Sequence, residues 1–218
     1  MARVLIAGAS GFLGRRLSAE LLRRGHTVLA VVRRGSEARA ARGAEIVAAD
    51  PFDPASYVTR LAGYDTYVHL IGVPHPSPAK AAQFRSVDLA SAKVAVEAAR
   101  RAGIGHFVYV SVAHPAPVMR EYIAARMEAE ALIRAAGLNA TILRPWYVLG
   151  PGRRWPVILM PVYWLLGAIP ATRDGARRLG LVTVEQMVAA MAAAIEQPTA
   201  GVRVLEVPQI RAARLLSA

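Results

Sequence analysis

Glycines stand at positions 8, 11 and 14, directly after an apolar run, Val4–Ala7, and at the opening of a stretch with helical spacing. That spacing is the chemistry of a phosphate cradle. Gly8 permits a tight turn, Gly11 lets the backbone approach a pyrophosphate, and Gly14 lets the following helix pack closely on the strand. The first helical turn then offers free N–H groups and a partial positive charge to an anion. The loop Gly8-Ala9-Ser10-Gly11-Phe12-Leu13-Gly14 is therefore read as the binding loop of a nicotinamide dinucleotide. A second apolar run, Thr27–Val32, ends in Arg33-Arg34, where an NAD-specific site would place a carboxylate for the ribose 2′-hydroxyl. A guanidinium matches a 2′-phosphate instead, so NADP is favoured over NAD, which stays open. In so arginine-rich a chain the same two residues can also be simply solvated. Asp50, after the third strand, is placed to accept from an adenine amino group or to cap a local turn.

Tyr122 and Arg126 lie four apart in a helical stretch and so share a face. A cation there favours the phenolate. Such a phenol can pass a proton to a carbonyl oxygen as hydride arrives from a nicotinamide. Arginine supplies field and hydrogen bonds, but it does not release a proton in a relay. The plainer arrangement has Tyr122 against the sheet and Arg126 paired with Glu130. Ser111 ends a predicted strand. His75 and His114 fall in loops after strands, where they can act as acids, anchor a substrate or sit in solvent. His26, His69 and His106 read as structural. No histidine–carboxylate cluster has metal-ligand spacing, so no metal is expected.

The elements that must position these residues follow from periodicity. Phe12–Arg24 reads as a helix closed by Gly25, Thr27–Val32 and Ala44–Ala48 as strands, and Pro54–Leu61 as a short helix. Thr66–Ile71 is a fourth strand, Ala79–Ala102 a long helix and His106–Ser111 a fifth strand. Pro117–Ala136 is a helix and Ala140–Leu143 a sixth strand. Such alternation specifies an α/β fold with a doubly wound parallel sheet, whose strand C-termini and loops share one edge. Thr183-Val184-Glu185-Gln186 has capping-box spacing and opens a helix to about Ile195, and Val202–Val207 reads as a last strand. The expected organisation is a dinucleotide-binding core over 1–150 and a small substrate-covering region of the same domain over 151–218.

Composition narrows the function classes. Of 27 basic residues, 25 are arginine, and the formal charge is +12. They are scattered in pairs without a basic run or an aromatic platform, so no specific nucleic acid is expected. There is no cysteine, which removes disulfides and thiolate chemistry and fits a cytoplasmic chain. Early glycines cut the first apolar run too soon for a signal peptide. The apolar run 157–169 is too short for a span, which takes about 20 residues, so no transmembrane segment is expected.

The motifs Val68-His69-Leu70-Ile71-Gly72, Phe107-Val108-Tyr109-Val110-Ser111, Tyr122-Ile123-Ala124-Ala125-Arg126 and Leu143-Arg144-Pro145-Trp146-Tyr147-Val148-Leu149-Gly150 carry a resemblance. With the glycine loop, they make the chain resemble the atypical, NAD(P)H-binding branch of the short-chain dehydrogenase/reductase superfamily over nearly its whole length. The resemblance implies an NAD(P)-binding Rossmann fold, with Leu70, Ile71, Gly72 and Pro145 at the cofactor. It also implies catalysis by Ser111 and Tyr122, with Arg126 standing where the superfamily has lysine. The segment Trp155–Ile169 falls where that superfamily covers its substrate, and its residues suit an apolar pocket wall, a homodimer contact or a membrane-surface helix. Two functions follow. One is an NADP-dependent oxidoreductase or epimerase acting on a rather apolar carbonyl or alcohol, a small-molecule substrate. The other is a non-catalytic dinucleotide sensor or accessory protein, similar to NmrA-like proteins or the nucleotide-binding subunit of respiratory complex I.

Overall fold

The computed structural model describes residues 1–152 and 178–215. Strands β1 (Arg3–Ala7), β2 (Thr27–Val32), β3 (Glu45–Ala48), β4 (Thr66–His69), β5 (His106–Val110), β6 (Ala140–Leu143) and β9 (Val202–Leu205) form one sheet in the order β3-β2-β1-β4-β5-β6-β9. All six ladders are parallel. Each crossover returns over a face, so the central strands β1, β2, β4, β5 and β6 are largely buried, whereas the edge strands β3 and β9 are only partly covered. Alternate residues divide between two cores. Leu5, Leu29, Tyr67 and Phe107 face helices α3 (Ala90–Arg101) and α4 (Arg120–Ala135). Val4, Ile6, Val28 and Val108 face α1 (Phe12–Arg23) and α5 (Val184–Glu196). Each buried Leu or Val side chain contributes roughly 1.5–3 kcal/mol, so slipping a strand by one residue is strongly opposed.

The expected fold is the observed one, with local differences. The long helix predicted over Ala79–Ala102 is broken into α2 (Ala81–Gln83), a π-helical turn (Phe84–Leu89) and α3. The short helix predicted over Pro54–Leu61 is two 3-10 turns, Pro54–Ser56 and Val58–Leu61. Helix α4 starts at Arg120 because Met119 takes a left-handed φ of 61°. A small parallel pair, β7 (Tyr147–Leu149) and β8 (Leu181–Thr183), and a short helix α6 (Val207–Ala212) were not anticipated. The capping box of α5 is formed in both directions between Thr183 and Gln186. No helix among the described residues is long and apolar enough to cross a membrane.

The glycine loop joins β1 to α1 where the backbones lie close together. A Cβ on Gly14 would sit 2.3 Å from the Gly8 carbonyl oxygen, and Gly8 has a φ of +88°. Only hydrogen fits at the first, and the second favours glycine strongly.

His69 ends β4 with 0% exposure, its ring stacked 5.9 Å from Tyr109. Its Nε2 lies 3.3 Å from Ser91 Oγ. Burial, then the charge of Arg126, push its pKa down to about 3. The folded pKa is below the unfolded one, so the unfolded chain binds a proton that the folded chain refuses. Stability is therefore undiminished above about pH 6.5 and falls by up to ~1.4 kcal/mol per pH unit on acidification toward the folded pKa. Urea denaturation should show the wild type losing more stability than His69→Gln between about pH 6.5 and 4. Parallel losses would contradict a buried neutral His69.

Candidate functional site

A cleft of about 400 Å³ opens at the C-terminal edge of the sheet. It brings together Gly8, Gly11, Phe12, Leu13 and Gly14 from the glycine loop, Leu70, Ile71 and Gly72 after β4, Ser111 after β5, and Pro145 after β6. Tyr122 and Arg126 of α4 close it from the side. These are the residues that a parallel sheet must collect there, because every one follows a strand or faces its end. His75, exposed and at a φ of 50°, also lines the cleft. Ala9 is 0% exposed, so its side chain belongs to the core, and Ser10 is not among the cleft's lining residues. Arg33 and Arg34 lie exposed just beyond β2, outside the cleft. Asp50 is also exposed, and one of its carboxylate oxygens accepts from the Phe52 N–H at 2.9 Å in a local turn. The segment 155–169 lies outside the described residues.

Arg126 is 6% exposed and heavily engaged. Its Nη2 donates to Asp88 Oδ1 at 2.5 Å, and its Nη1 donates to the Val110 carbonyl at 2.8 Å and to the Tyr109 hydroxyl at 3.3 Å. The plainer arrangement, Arg126 paired with Glu130, is not found: Asp88 is the partner. Its guanidinium carbon lies 5.3 Å from the Tyr122 ring centre and 5.6 Å from that of Tyr109. Burial alone would lower its pKa, but Tyr109, Tyr122 and Asp88 outweigh that and hold it firmly protonated. Burial pushes the Tyr109 phenol up to about 12, against the pull of Arg126. Tyr109 is thus held neutral, and among the cleft tyrosines Tyr122 sits directly against the cation. The other side of Tyr122 packs on Phe84, with ring centres 4.9 Å apart.

Ser111 is 2% exposed, and its hydroxyl donates to Glu130 Oε1 at 2.6 Å. Glu130 is 4% exposed and bound by Arg144 through Nε at 2.9 Å and Nη2 at 2.5 Å. Burial opposes its ionisation, yet the hydrogen bonds from Arg144 and Ser111 hold the carboxyl below the usual carboxylate range. A carboxylate has no proton to give, so this bond runs from Ser111 to Glu130, and the serine oxygen is left as an acceptor. His114 turns to the same carboxylate, with Nε2 3.6 Å from Oε1, rather than into open solvent. Arg144 also reaches Glu206 at 2.9 Å.

Asp88 and Tyr109 were not singled out from sequence. A signal for Asp88 was present: it lies at helical spacing with Phe84 and Ala92 on a stripe that is otherwise apolar, where a carboxylate needs a buried partner. The described residues contain no group of His, Asp and Glu that could hold a metal ion. The loop and first turn of α1 fit a dinucleotide, since the positions nearest the backbone carry no side chain and the helix N-terminus at Gly11 has no side-chain cap.

The chain is 29% identical over 200 residues to ceramide reductase of Caulobacter vibrioides, covering 91% of this chain and 62% of that protein. It is 29% identical to the 3-diazoavenalumate denitrifying reductase of a Streptomyces species, over 91% of this chain and 74% of the relative. The chain thus spans less than two thirds of the first of these reductases. Among solved structures, MoeE5 in complex with UDP-glucuronic acid and NAD matches with a TM-score of 0.73 at 24% identity, over 94% of this chain and 76% of that one. WbmH of Bordetella bronchiseptica in complex with NAD+ matches with a TM-score of 0.70 at 19% identity, over 94% and 75%. These two likenesses establish the fold. A family model described as NAD(P)H-binding matches residues 8–156, which hold the glycine loop and every cleft residue discussed above. The chain belongs to the NAD(P)H-binding family.

Proposed function

We propose that this protein is an NADP-dependent oxidoreductase that reduces the carbonyl group of a rather apolar small molecule. The observation that carries the reading is the Tyr122 phenol, which lines the same cleft as the glycine loop with the Arg126 cation over its ring. When bound, the dihydronicotinamide supplies hydride to the carbonyl carbon. Tyr122 gives its phenolic proton to the carbonyl oxygen, so that an alcohol forms, and the adjacent cation stabilises the phenolate left behind. Ser111 Oγ, its proton spent on Glu130, accepts a hydrogen bond from ligand or from Tyr122. Phe12, Leu13, Trp146 and Val148 line the cleft and suit an apolar substrate body. Relatives named as reductases support the reaction class. In this reading residues 1–150 hold the cofactor, and the 151–218 region covers the substrate.

NADP is preferred because β2 is followed by Arg33 and Arg34 and not by a carboxylate. Neither guanidinium has a hydrogen-bonding partner among the described residues, which leaves both available to a 2′-phosphate. A second reading, a dinucleotide sensor without turnover, draws on the serine: a Ser111 that donates to Glu130 is not donating to a substrate carbonyl.

Two measurements test these readings. Arg33→Ala should weaken NADPH about ten- to hundredfold in a calorimetric titration, the loss of one charge-assisted contact, and leave NADH nearly unchanged. Equal losses for both cofactors would refute the NADP preference. Tyr122→Phe should slow single-turnover oxidation of bound NADPH by a carbonyl panel roughly 10²- to 10⁴-fold, with cofactor affinity unchanged. A sensor would show no substrate-dependent oxidation in either protein, and equal rates in both would remove Tyr122 as the acid.

A further inference from the structure

Lysine would bring one nitrogen to position 126, whereas the arginine brings three and divides them. Nη1 and Nη2 are spent on Val110, Tyr109 and Asp88. Nε, in a side chain that lines the cleft, has no acceptor among the described residues. Asp88 is the anchor of that division. It is 0% exposed, sits on the π-helical turn, and uses both oxygens: Oδ1 takes Arg126, and Oδ2 accepts from the Val73 N–H at 3.1 Å. One carboxylate thus ties the loop after β4 to the cation on α4. The space on the far side is kept by Gly72, where a Cβ would lie 2.4 Å from Arg126 Nη2 and 2.9 Å from Asp88 Oδ1.

We propose that Asp88 is a positioning residue, which with Gly72 fixes the Arg126 cation against the face of Tyr122, so that arginine here is a built feature and not a conservative exchange for lysine. The proposal rests on the reading of Tyr122 as the proton donor, but its test does not require turnover. Among the described residues, the charged and aromatic groups near Tyr122 and its cleft are these. Arg126 comes from its own helix, and Asp88 and Phe84 come from the π turn. Tyr109 comes from β5, with His69 of β4 behind it, and His75 comes from the loop that lines the same cleft.

The experiment is tyrosinate absorbance against pH in wild type, Arg126→Met, Asp88→Asn and Gly72→Ala, each minus the same protein carrying Tyr122→Phe, so that the difference isolates Tyr122. Arg126→Met should raise the Tyr122 midpoint, the direction expected on removing an adjacent opposite charge. If Asp88 acts by holding the arginine, Asp88→Asn also raises the midpoint. Acting only as a nearby negative charge, it would lower the midpoint when neutralised, so the sign decides. Gly72→Ala changes no charge and displaces the guanidinium, and it should raise the midpoint as well. It keeps the test open if Asp88→Asn does not fold. A midpoint that falls or stays in Asp88→Asn, or stays in Gly72→Ala or Arg126→Met, overturns the proposal. Full turnover by Tyr122→Phe would end the reading of Tyr122 as the proton donor while leaving these shifts intact, so the two failures are distinguishable.

Discussion

Arg126 carries a full positive charge into a site where 6% of the residue meets solvent. Taking such a cation out of water costs several kcal/mol, and leaving it without its partner costs about 3–5. The surrounding structure is arranged around that constraint. Asp88 answers the charge from the π turn, Val110 offers a carbonyl at the end of β5, and two aromatic faces shield it. Loosening any one of these contacts would disturb the loop after β4, the end of β5 and the helix that carries Tyr122.

A second buried charge lies one turn further along α4. Tyr122, Arg126 and Glu130 are spaced at four and eight residues, so they form one stripe on one helix face. Arg126 ties that stripe to β5 and the π turn. Glu130 ties it to Ser111 beyond β5 and, through Arg144, to Glu206 beyond β9. Both partners of each pair are largely buried and hydrogen-bonded on more than one side, which is the condition under which such pairs hold geometry. The helix is held at two successive turns, and Tyr122 occupies the next. If Tyr122 is the proton donor proposed above, that rigidity holds it where it can meet a carbonyl oxygen at hydrogen-bonding distance.

Much of this was legible in the sequence. Strands β2 and β6 and the capping box of α5 fall where periodicity and turn chemistry place them, because apolar runs covered on both faces leave little choice of register. The glycine loop is equally legible, since its conformation excludes side chains. The π turn at Phe84–Leu89 was not, because one extra residue per turn leaves the apolar spacing almost intact. The β7–β8 pair was hidden because its strands are three residues each and join segments far apart in sequence. Within the site, the spacing of Tyr122 and Arg126 puts them on one face, but the buried partner of Arg126 was not legible, and the alternative pairing with Glu130 is not formed. Local spacing favoured Glu130 for Arg126. The tertiary fold instead brings Asp88 from another helix, a contact across 38 residues that no local pattern encodes.

The central claim is that the cleft holds the dinucleotide with its reactive ring beside Tyr122. The most direct measurement is a nuclear Overhauser spectrum of protein carrying labelled tyrosine in complex with NADP+. The signals of Tyr122 are assigned by their disappearance in Tyr122→Phe. The account predicts a cross-peak between the nicotinamide H4 proton and the Tyr122 ring. Bound NADP+ whose H4 shows contacts to other residues and none to Tyr122 would contradict it.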